Sequence, residues 1–567
     1  MRKLQASRPK APYAQQETEA VQIPAPTSGW NAIDALANMD PKYAPILINW
    51  VPRTSWIELR AGYNAWVQGL GANSPVETLM AYKPVSGTQF LFAACGGNIY
   101  NASNQAAPVQ VLSGFASNRW QYLNFDVPGG SDYLYMVNGS DNPQLWDGTV
   151  WTSPTITGGP AQTTFFNIHS HQNRLWFIPN NSTTVYYLAA SAITGACSPL
   201  ALGSFMTEGG FVVAMGTWTY NGGTGPQNLA VFITSRGQTI IYAGTDPTSS
   251  STWTLVGVFN LPPPLGIRCF QQIGSDLGII TQQGVLPLSQ TIQLDTGAVR
   301  ANAITGRIQN AMLQAATSYG SNFGWQLISY PAQGLLFLNV PQQTNTSQVQ
   351  FVQNFLNGAW TQFQGWNANC FEIFNDQLFF GGNNGVVSNA YQGPADLVSP
   401  IVADMQCAFN YFGAPGRIKR MTMIQPMLVT GGTIVPTIGV DVDFGSVSPT
   451  AAVSSFVATG GIYDTSLYDA SFYAQGPLPQ STWQSVQAEG HALAVRMKVN
   501  VLPSGSGAGS VFDTGTFDSI LFDGFQGQQP SILQINAFSA VIEMGNFITL
   551  AICAINALHW VFGVMTC

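Results

Sequence analysis

Two histidines are spaced so that they could bind a metal ion together. His169 and His171 alternate along a predicted strand, so both rings face the same side of it. A metal site would need further ligands, and the other two histidines, His491 and His559, are isolated in the sequence. The pattern therefore favours hydrogen-bonded histidines inside a β-structure over a metal pair.

Carboxylates form two further groups. Asp441 and Asp443 share one face of a predicted strand, where a pair could bind a hard cation or act as acid and base. Solvated acids or acids that line a channel fit them better, and we expect both to face a channel. A second set follows aromatic residues in two short repeats. It lacks EF-hand spacing, so turn capping explains it better than calcium binding: Asp464, Asp469, Asp513, Asp518 and Asp523.

The densest basic spot is formed by Arg417, Lys419 and Arg420. These side chains could touch DNA phosphates, but a solvated face or salt bridges across a subunit boundary fit them better. The net charge of −8 argues against a protein that binds nucleic acid, although an acidic wall would let DNA slide past. The sequence contains no GxSxG, Walker A, HExxH or Cys–His signature in a matching context, so we expect neither an enzyme nor a cofactor or metal.

The 567-residue chain is poor in charge. Only 8% of its residues are charged, against about 25% in ordinary soluble domains. Such a surface repels its neighbours weakly, which suits a subunit that buries much of itself in an assembly. An all-β extracellular protein with polar loops is the alternative. The seven scattered cysteines predict buried free thiols and folding in a reducing cytoplasm.

Neither end of the chain indicates a membrane protein. No apolar stretch follows the basic residues of the N-terminus, which therefore does not resemble a secretory signal. Residues 547–564 reach the minimum spanning length but contain Asn556 and His559. Buried strands or a contact between subunits are the preferred interpretation.

A tryptophan-sealed turn recurs along the chain and predicts the fold. Asp147-Gly148 precedes Trp151, and Asn357-Gly358 precedes Trp360, as expected for two-residue hairpins. With a looser copy at Trp253, the tryptophans follow each other by 102 and 107 residues. Each step is about two periods of ~50 residues, the length of a kelch-like propeller blade.

The pattern of strands and turns predicts an all-β fold with three regions. Residues 1–75 form an extended N-terminal arm that docks on another surface, and residues 76–395 form an irregular β-propeller of six or seven blades. One helix is inserted at residues 305–319, where apolar residues repeat with helical spacing. Residues 396–567 are predicted to form an appended β-sandwich domain.

Several segments resemble a family of tailed-bacteriophage structural proteins, the tail nozzle or tail tubular proteins. The likeness begins in Pro24-Ala25-Pro26-Thr27-Ser28-Gly29-Trp30 and in Asn49-Trp50-Val51-Pro52. It continues in Gly365-Trp366-Asn367 and in Gly413-Ala414-Pro415-Gly416-Arg417, and it runs to about residue 540. The resemblance implies a sixfold ring below the portal and adaptor that encloses the DNA exit channel.

From the residues and the resemblance together we expect a virion structural protein, made in the bacterial cytoplasm. Its partners would be sister copies in a hexamer, the portal and adaptor, and tail fibre or spike proteins, with DNA passing without specific binding. The alternatives are a propeller glycoside hydrolase and a receptor- or carbohydrate-binding tail module. The candidate interface residues are Trp30, Asp34, Trp50, Trp56, Arg417, Lys419 and Arg420.

Overall fold

The computed structural model describes residues 17–105, 107–221, 226–292, 302–430, 436–449, 478–501 and 533–544. Strands dominate these residues, and the protein has an all-β fold, as the sequence predicts. The aspartate and aromatic repeats around Asp464 and Asp513, together with residues 547–567, lie outside the described residues.

Seven consecutive groups of three or four paired strands form a β-propeller, and the sixth group belongs to a larger sheet. Blade 1 consists of Val76–Tyr82, Phe90–Cys95, Asn98–Asn101 and Val109–Ser113, and blade 2 consists of Gln121–Asp126, Asp132–Val137, Gln144–Trp146 and Trp151–Thr152. Blade 3 consists of Phe165–His171, Arg174–Pro179, Thr184–Tyr187 and Ser198–Ala201, and blade 4 consists of Val212–Asn221, Pro226–Thr234, Gln238–Gly244 and Trp253–Asn260. Blade 5 consists of Phe270–Ile273, Asp276–Thr281 and Gly284–Pro287, and blade 6 consists of Gln326–Tyr330, Leu335–Gln343, Ser347–Asn354 and Trp360–Phe363. Blade 7 consists of Cys370–Phe374, Gln377–Gly381, Val387–Ala390 and Tyr63–Val67.

The ring of blades is closed by a strand from the start of the chain. Tyr63–Val67 pairs antiparallel with Val387–Ala390 and so supplies the fourth strand of blade 7. Contacts run from each blade to the next and from blade 7 back to blade 1. The propeller therefore depends on residues more than 300 positions apart in the sequence, which makes its closure a long-range event in folding.

The recurring tryptophans mark every second blade. Trp151, Trp253 and Trp360 each begin the outermost strand of a blade, in blades 2, 4 and 6. The turns are longer than two-residue hairpins, since Trp151 pairs with Trp146 across four residues. Asp147 caps this longer loop through its Oδ1, which accepts from the backbone N–H groups of Thr149 and Val150.

The predicted helix lies between blades 5 and 6. A 3₁₀ turn, Gly306–Ile308, leads into the α-helix Gln309–Tyr319. The face formed by Ile308, Met312 and Ala315 is buried against strands of blades 5 and 6, which explains the apolar spacing. A shorter helix, Leu288–Thr291, follows blade 5. The described cysteines are buried and free, as predicted: Cys95, Cys197, Cys269, Cys370 and Cys407.

A β-sandwich packs beside the propeller. Its first sheet continues blade 6 through Ile46–Ile48, Ile401–Gln406, Leu493–Val501 and Pro436–Val442. Its second sheet contains Glu17–Pro24, Leu533–Met544, Lys419–Thr430, Gln484–Gly490, Leu478–Gln480, Ile57–Leu59 and Trp50–Pro52. Alternating apolar side chains of both sheets, such as Met405, Ile424 and Phe538, form the core between them.

The N-terminal arm is extended, but the surface on which its described part docks belongs to its own chain. Glu17–Pro24 pairs along Leu533–Met544, whereas Gly29–Trp30 pairs with Tyr43–Ala44. Residues up to Leu59 thus complete the sandwich, and Tyr63–Val67 completes the propeller. The expectation of a separate docking segment at residues 1–75 is therefore corrected for its described part, because its apolar side chains find partners inside the same subunit.

One buried ion pair joins these parts. Arg60 donates to both carboxylate oxygens of Asp396, at 2.8 and 2.7 Å, and also to Asn49 Oδ1 and the Gln364 carbonyl. Its guanidinium lies 5.2 Å from the ring centre of Trp366. Arg60 therefore connects the arm to the end of blade 6 and to the segment that follows blade 7.

Replacing this arginine should destabilise the protein strongly. We expect Arg60→Met to cost about 3–5 kcal/mol, because it leaves the buried Asp396 carboxylate without its partner. Arg53→Met is the matched control: its pair with Glu58 is more exposed and should contribute less than about 1 kcal/mol. Denaturant unfolding measures both, and equal losses would contradict the assignment.

A close approach at Gly62 gives a second test. A Cβ atom there would lie 1.8 Å from the Ala395 carbonyl oxygen, so Gly62→Ala must displace the backbone next to Asp396. We expect a loss of about 2–3 kcal/mol in denaturant unfolding. Gly306→Ala is the control, since no atom lies within 4 Å of the added carbon, and it should be close to neutral.

Candidate functional site

The seven blades surround a central cavity of about 470 Å³. Every blade contributes side chains to its wall, mainly from the first strands. They include Lys83, Tyr122, His169, Thr217, Gln271 and Glu372. Polar groups from distant parts of the sequence therefore converge on one concave site, which is the usual form of a ligand pocket in a folded domain.

Glu372 is the acidic centre of this cavity. Its Oε1 lies 2.9 Å from Lys83 Nζ, and its Oε2 accepts a hydrogen bond from the Tyr122 hydroxyl. Burial, reinforced by the negative charge of Glu372, raises the pKa of Tyr122 well above its usual value. Tyr122 consequently stays protonated and donates a hydrogen bond to Glu372. Both oxygens of the Glu372 carboxylate are therefore bonded by side chains of the cavity wall, Lys83 and Tyr122.

A second cation, Arg268, lies on the segment between blades 4 and 5. Its Nη2 donates to Thr78 Oγ1 at 2.8 Å and to the Trp120 carbonyl at 3.2 Å. Its guanidinium also lies 5.3 Å from the ring centre of Phe323. These bonds are to neutral groups, so Arg268 brings a positive charge to the wall while linking blades 1 and 2.

The two histidines meet at one hydroxyl. Thr217 Oγ1 lies 3.0 Å from His169 Nε2 and 3.0 Å from His171 Nδ1. Because a hydroxyl donates a single proton, at least one imidazole donates to it. Burial, followed by the neighbouring His171, lowers the pKa of His169 to about 4, and burial lowers the pKa of His171 to about 4. Both are neutral near pH 7, and the predicted hydrogen-bonded histidines are confirmed.

The tryptophan-rich interface candidates are largely used within the subunit. Trp50 is completely buried in the sandwich core, which corrects its assignment to an interface, because no part of it can reach another chain. Trp30 packs edge-on against Phe351, and Trp56 donates to Glu58, so both are half-buried. Asp34 accepts from Asn31 and lies 3.8 Å from Arg307.

The basic candidates separate into different environments. Lys419 is buried and donates to the carbonyls of Arg417 and His491, which corrects its assignment to an interface. Burial lowers the pKa of Lys419. Arg420 is exposed and lies in register with Glu489 and Glu543 on the neighbouring strands, a cross-strand arrangement of opposite charges. Arg417 is half-buried.

The two aspartates predicted to face a channel do not act as a pair. Asp441 is buried in the sandwich, where it accepts from Gln406 and from the backbone of Val447. Its assignment to a channel wall is corrected, because its oxygens are satisfied inside the domain. Asp443 lies beyond the strand end, is more exposed, and caps the backbone N–H groups of His491 and Ala492.

Sequence reasoning found His169 but missed Lys83, Tyr122, Arg268 and Glu372. None of these has a short-range partner that signals a site, since Lys83 and Glu372 are 289 positions apart. A usable signal exists only at the level of blades: each side chain lies on or beside the first strand of a blade, which borders the central axis. The positions of the blades must be known before this signal can be used.

The described residues contain neither a candidate metal site nor a candidate membrane-spanning helix. No group of three or more His, Cys, Asp or Glu side chains in the described ranges is placed to hold a metal ion. No helix in that part of the chain is long and apolar enough to cross a membrane.

Known proteins provide only distant comparisons. No protein-family model matches the chain, and no curated protein matches it. Among solved structures, the extracellular domain of the putative one-component system BT4673 from B. thetaiotaomicron is similar at 9% identity and a TM-score of 0.38, covering 77% of this chain and 62% of that one. A glycoside hydrolase family 43 arabinoxylan arabinofuranohydrolase from Bacillus subtilis is similar at 11% identity and a TM-score of 0.25, covering 86% and 99%. Likenesses at this level assign no function.

The buried histidines should make stability sensitive to acid. Their pKa values of about 4 lie below the ordinary value of about 6.5, so the unfolded chain takes up protons first as the pH falls. Their contribution is therefore complete above about pH 6.5 and is lost progressively towards pH 4. We expect the Tm of a His169→Gln/His171→Gln variant to fall less between pH 7 and pH 4.5 than that of the wild type.

The control for this comparison is His491→Gln, which changes a more exposed histidine of the sandwich. Its Tm should follow the wild-type pH dependence. An unchanged acid sensitivity in the double variant would contradict the role assigned to the pair at Thr217.

Proposed function

We propose that this protein is a virion structural subunit of a short-tailed bacteriophage, and that six copies form a nozzle ring below the portal and adaptor. The observation that carries the proposal is an exposed apolar edge on blade 4 of a chain in which only 8% of residues are charged. The resemblance of the segments around Trp30, Trp50 and Arg417 to tail nozzle proteins supports it.

The apolar edge is the outermost strand of blade 4, Trp253–Asn260, which pairs on one side with Gln238–Gly244. Leu255, Val256 and Val258 are 39%, 52% and 36% exposed. Val256 sits in a register shift of the ladder, with Leu255 and Gly257 paired on either side of it. An exposed apolar edge strand invites pairing with another chain, and proteins ordinarily protect such edges. In the proposed ring, a sister copy or an adaptor subunit covers it.

The mechanism of such a ring is mechanical. It retains the genome after packaging and conducts it during infection, while tail fibre or spike proteins attach around it. A chain with only 19 Lys and Arg residues suits this task, because each Lys or Arg contact with a phosphate would hold the DNA back. The free thiols of the five described cysteines fit a subunit that folds in the bacterial cytoplasm before it enters the virion.

A glycoside hydrolase is the competing enzymatic function. Its mechanism ordinarily needs two carboxyl groups flanking the scissile bond. Glu372 is the single carboxylate among the residues that line the central cavity, and the wall engages both of its oxygens. No observation on the cavity therefore favours hydrolysis over the structural role.

A charge placed on the apolar edge should prevent assembly. We expect Val256→Glu to remain folded but to abolish ring formation, because the carboxylate would be desolvated against a neighbour. Native mass spectrometry of the protein alone and with portal and adaptor proteins measures the copy number, and electron microscopy locates the protein on the virion tail axis.

Val150→Glu is the matched control. Val150 is 55% exposed in the loop between the last two strands of blade 2, and it belongs to no apolar edge strand, so its variant should assemble normally. A wild-type chain that stays monomeric with its connector partners, or its absence from the tail axis, would refute the proposed function. Rings formed by Val256→Glu would remove blade 4 from the interface.

A further inference from the structure

The central cavity carries an excess of positive charge in a protein that is acidic as a whole. Lys83 and Arg268 are the cations of its lining, Glu372 is the anion, and His169 is neutral near pH 7. The lining thus has one positive charge more than it has negative charges, whereas the whole chain has a net charge of −8. An unbalanced cation inside a concave site is costly unless water or an anion compensates it.

Both cations retain free hydrogen-bonding capacity. Within the described structure, Lys83 Nζ bonds a single group, the Glu372 carboxylate, and its side chain is 41% exposed. The bonds of Arg268 are all made by Nη2, to Glu77 O, Thr78 Oγ1 and Trp120 O. Its Nε and Nη1 groups bond none of the described residues. Each of these two groups can donate a hydrogen bond to an anionic oxygen, although they lie on different edges of the guanidinium.

The remaining wall is suited to hydroxyl groups. The amide nitrogens of Gln121, Gln271 and Gln272 donate to backbone carbonyls, and these bonds orient the side chains. Their carbonyl oxygens accept nothing from the described residues and can accept from a ligand hydroxyl. The aromatic rings of Tyr122 and Phe270 add apolar surface to the same lining.

We propose that the central cavity of the propeller binds a sugar acid, with its carboxylate on Arg268 and Lys83 and its hydroxyls on the glutamine side chains. A volume of about 470 Å³ lies within the usual range of roughly 300–1,000 Å³ for small-molecule pockets. This site belongs to each subunit alone. It is independent of the proposed nozzle ring, and either can fail while the other holds.

Isothermal titration calorimetry of the full chain with D-glucuronate, D-glucose and acetate tests the assignment. We expect binding of D-glucuronate, and weaker binding of glucose, which lacks the carboxylate, and of acetate, which lacks the hydroxyls. Lys83→Gln should weaken D-glucuronate binding about tenfold or more, the usual contribution of a charge-assisted hydrogen bond. Arg236→Gln is the control, because Arg236 is exposed in a turn of blade 4 outside the cavity lining, and it should bind like the wild type.

Glu372→Gln gives the more discriminating result. It removes the negative charge and frees Lys83, so D-glucuronate should bind more tightly than to the wild type, whereas damage to the pocket would weaken binding. Thermal unfolding of each variant reports whether the fold survives. Equal affinity for glucose and D-glucuronate, equal affinity for acetate, absence of D-glucuronate binding at millimolar concentration, or weaker binding by a folded Glu372→Gln variant would each overturn the proposal.

Discussion

The buried guanidinium of Arg60 is the constraint on which the rest of the architecture depends. It lies where the arm leaves the sandwich and enters the propeller, three residues before the strand Tyr63–Val67 that closes blade 7. Its bonds to Asn49, Gln364 and Asp396 hold three separate chain segments at one point. A charge that is completely buried tolerates only a geometry in which its donors are satisfied, so this cluster specifies the path of the chain at the junction.

The propeller and the sandwich also share a sheet. Ile48 pairs in parallel with Gln362 at the end of blade 6 and in antiparallel with Asp404 of the sandwich. The backbone hydrogen bonds therefore continue from a blade into the neighbouring domain without an exposed linker. Relative motion of the two parts would require breaking that ladder, and the subunit is better suited to transmit force than to bend at a hinge.

Many of the charges in this charge-poor chain are used at defined positions. Arg496 binds both oxygens of Asp404 inside the sandwich, as Arg60 binds Asp396 at the junction. Lys83 and Glu372 form an ion pair on the wall of the central cavity, between the neighbouring blades 1 and 7. The proposed ring rests on the scarcity of charge in the chain and on the apolar edge of blade 4. The proposed sugar-acid site rests on the few charges that line the central cavity.

Local patterns determined the all-β class, the spacing of the blades and the inserted helix. Alternating apolar residues, turn residues and the recurrence of Trp151, Trp253 and Trp360 act over a few neighbours or at a fixed period, so a single sequence displays them. The hydrogen bond of His169 and His171 to one hydroxyl was foreseeable for the same reason, since alternation on a strand places both rings on one face. Tertiary structure decided the rest. Trp50, Lys419 and Asp441 became internal because strands that are not their neighbours in the sequence cover them, and burial is a property of those partners. The cavity residues Lys83, Arg268 and Glu372 converge because seven blades close into a ring, and no local spacing encodes a meeting that only ring closure creates.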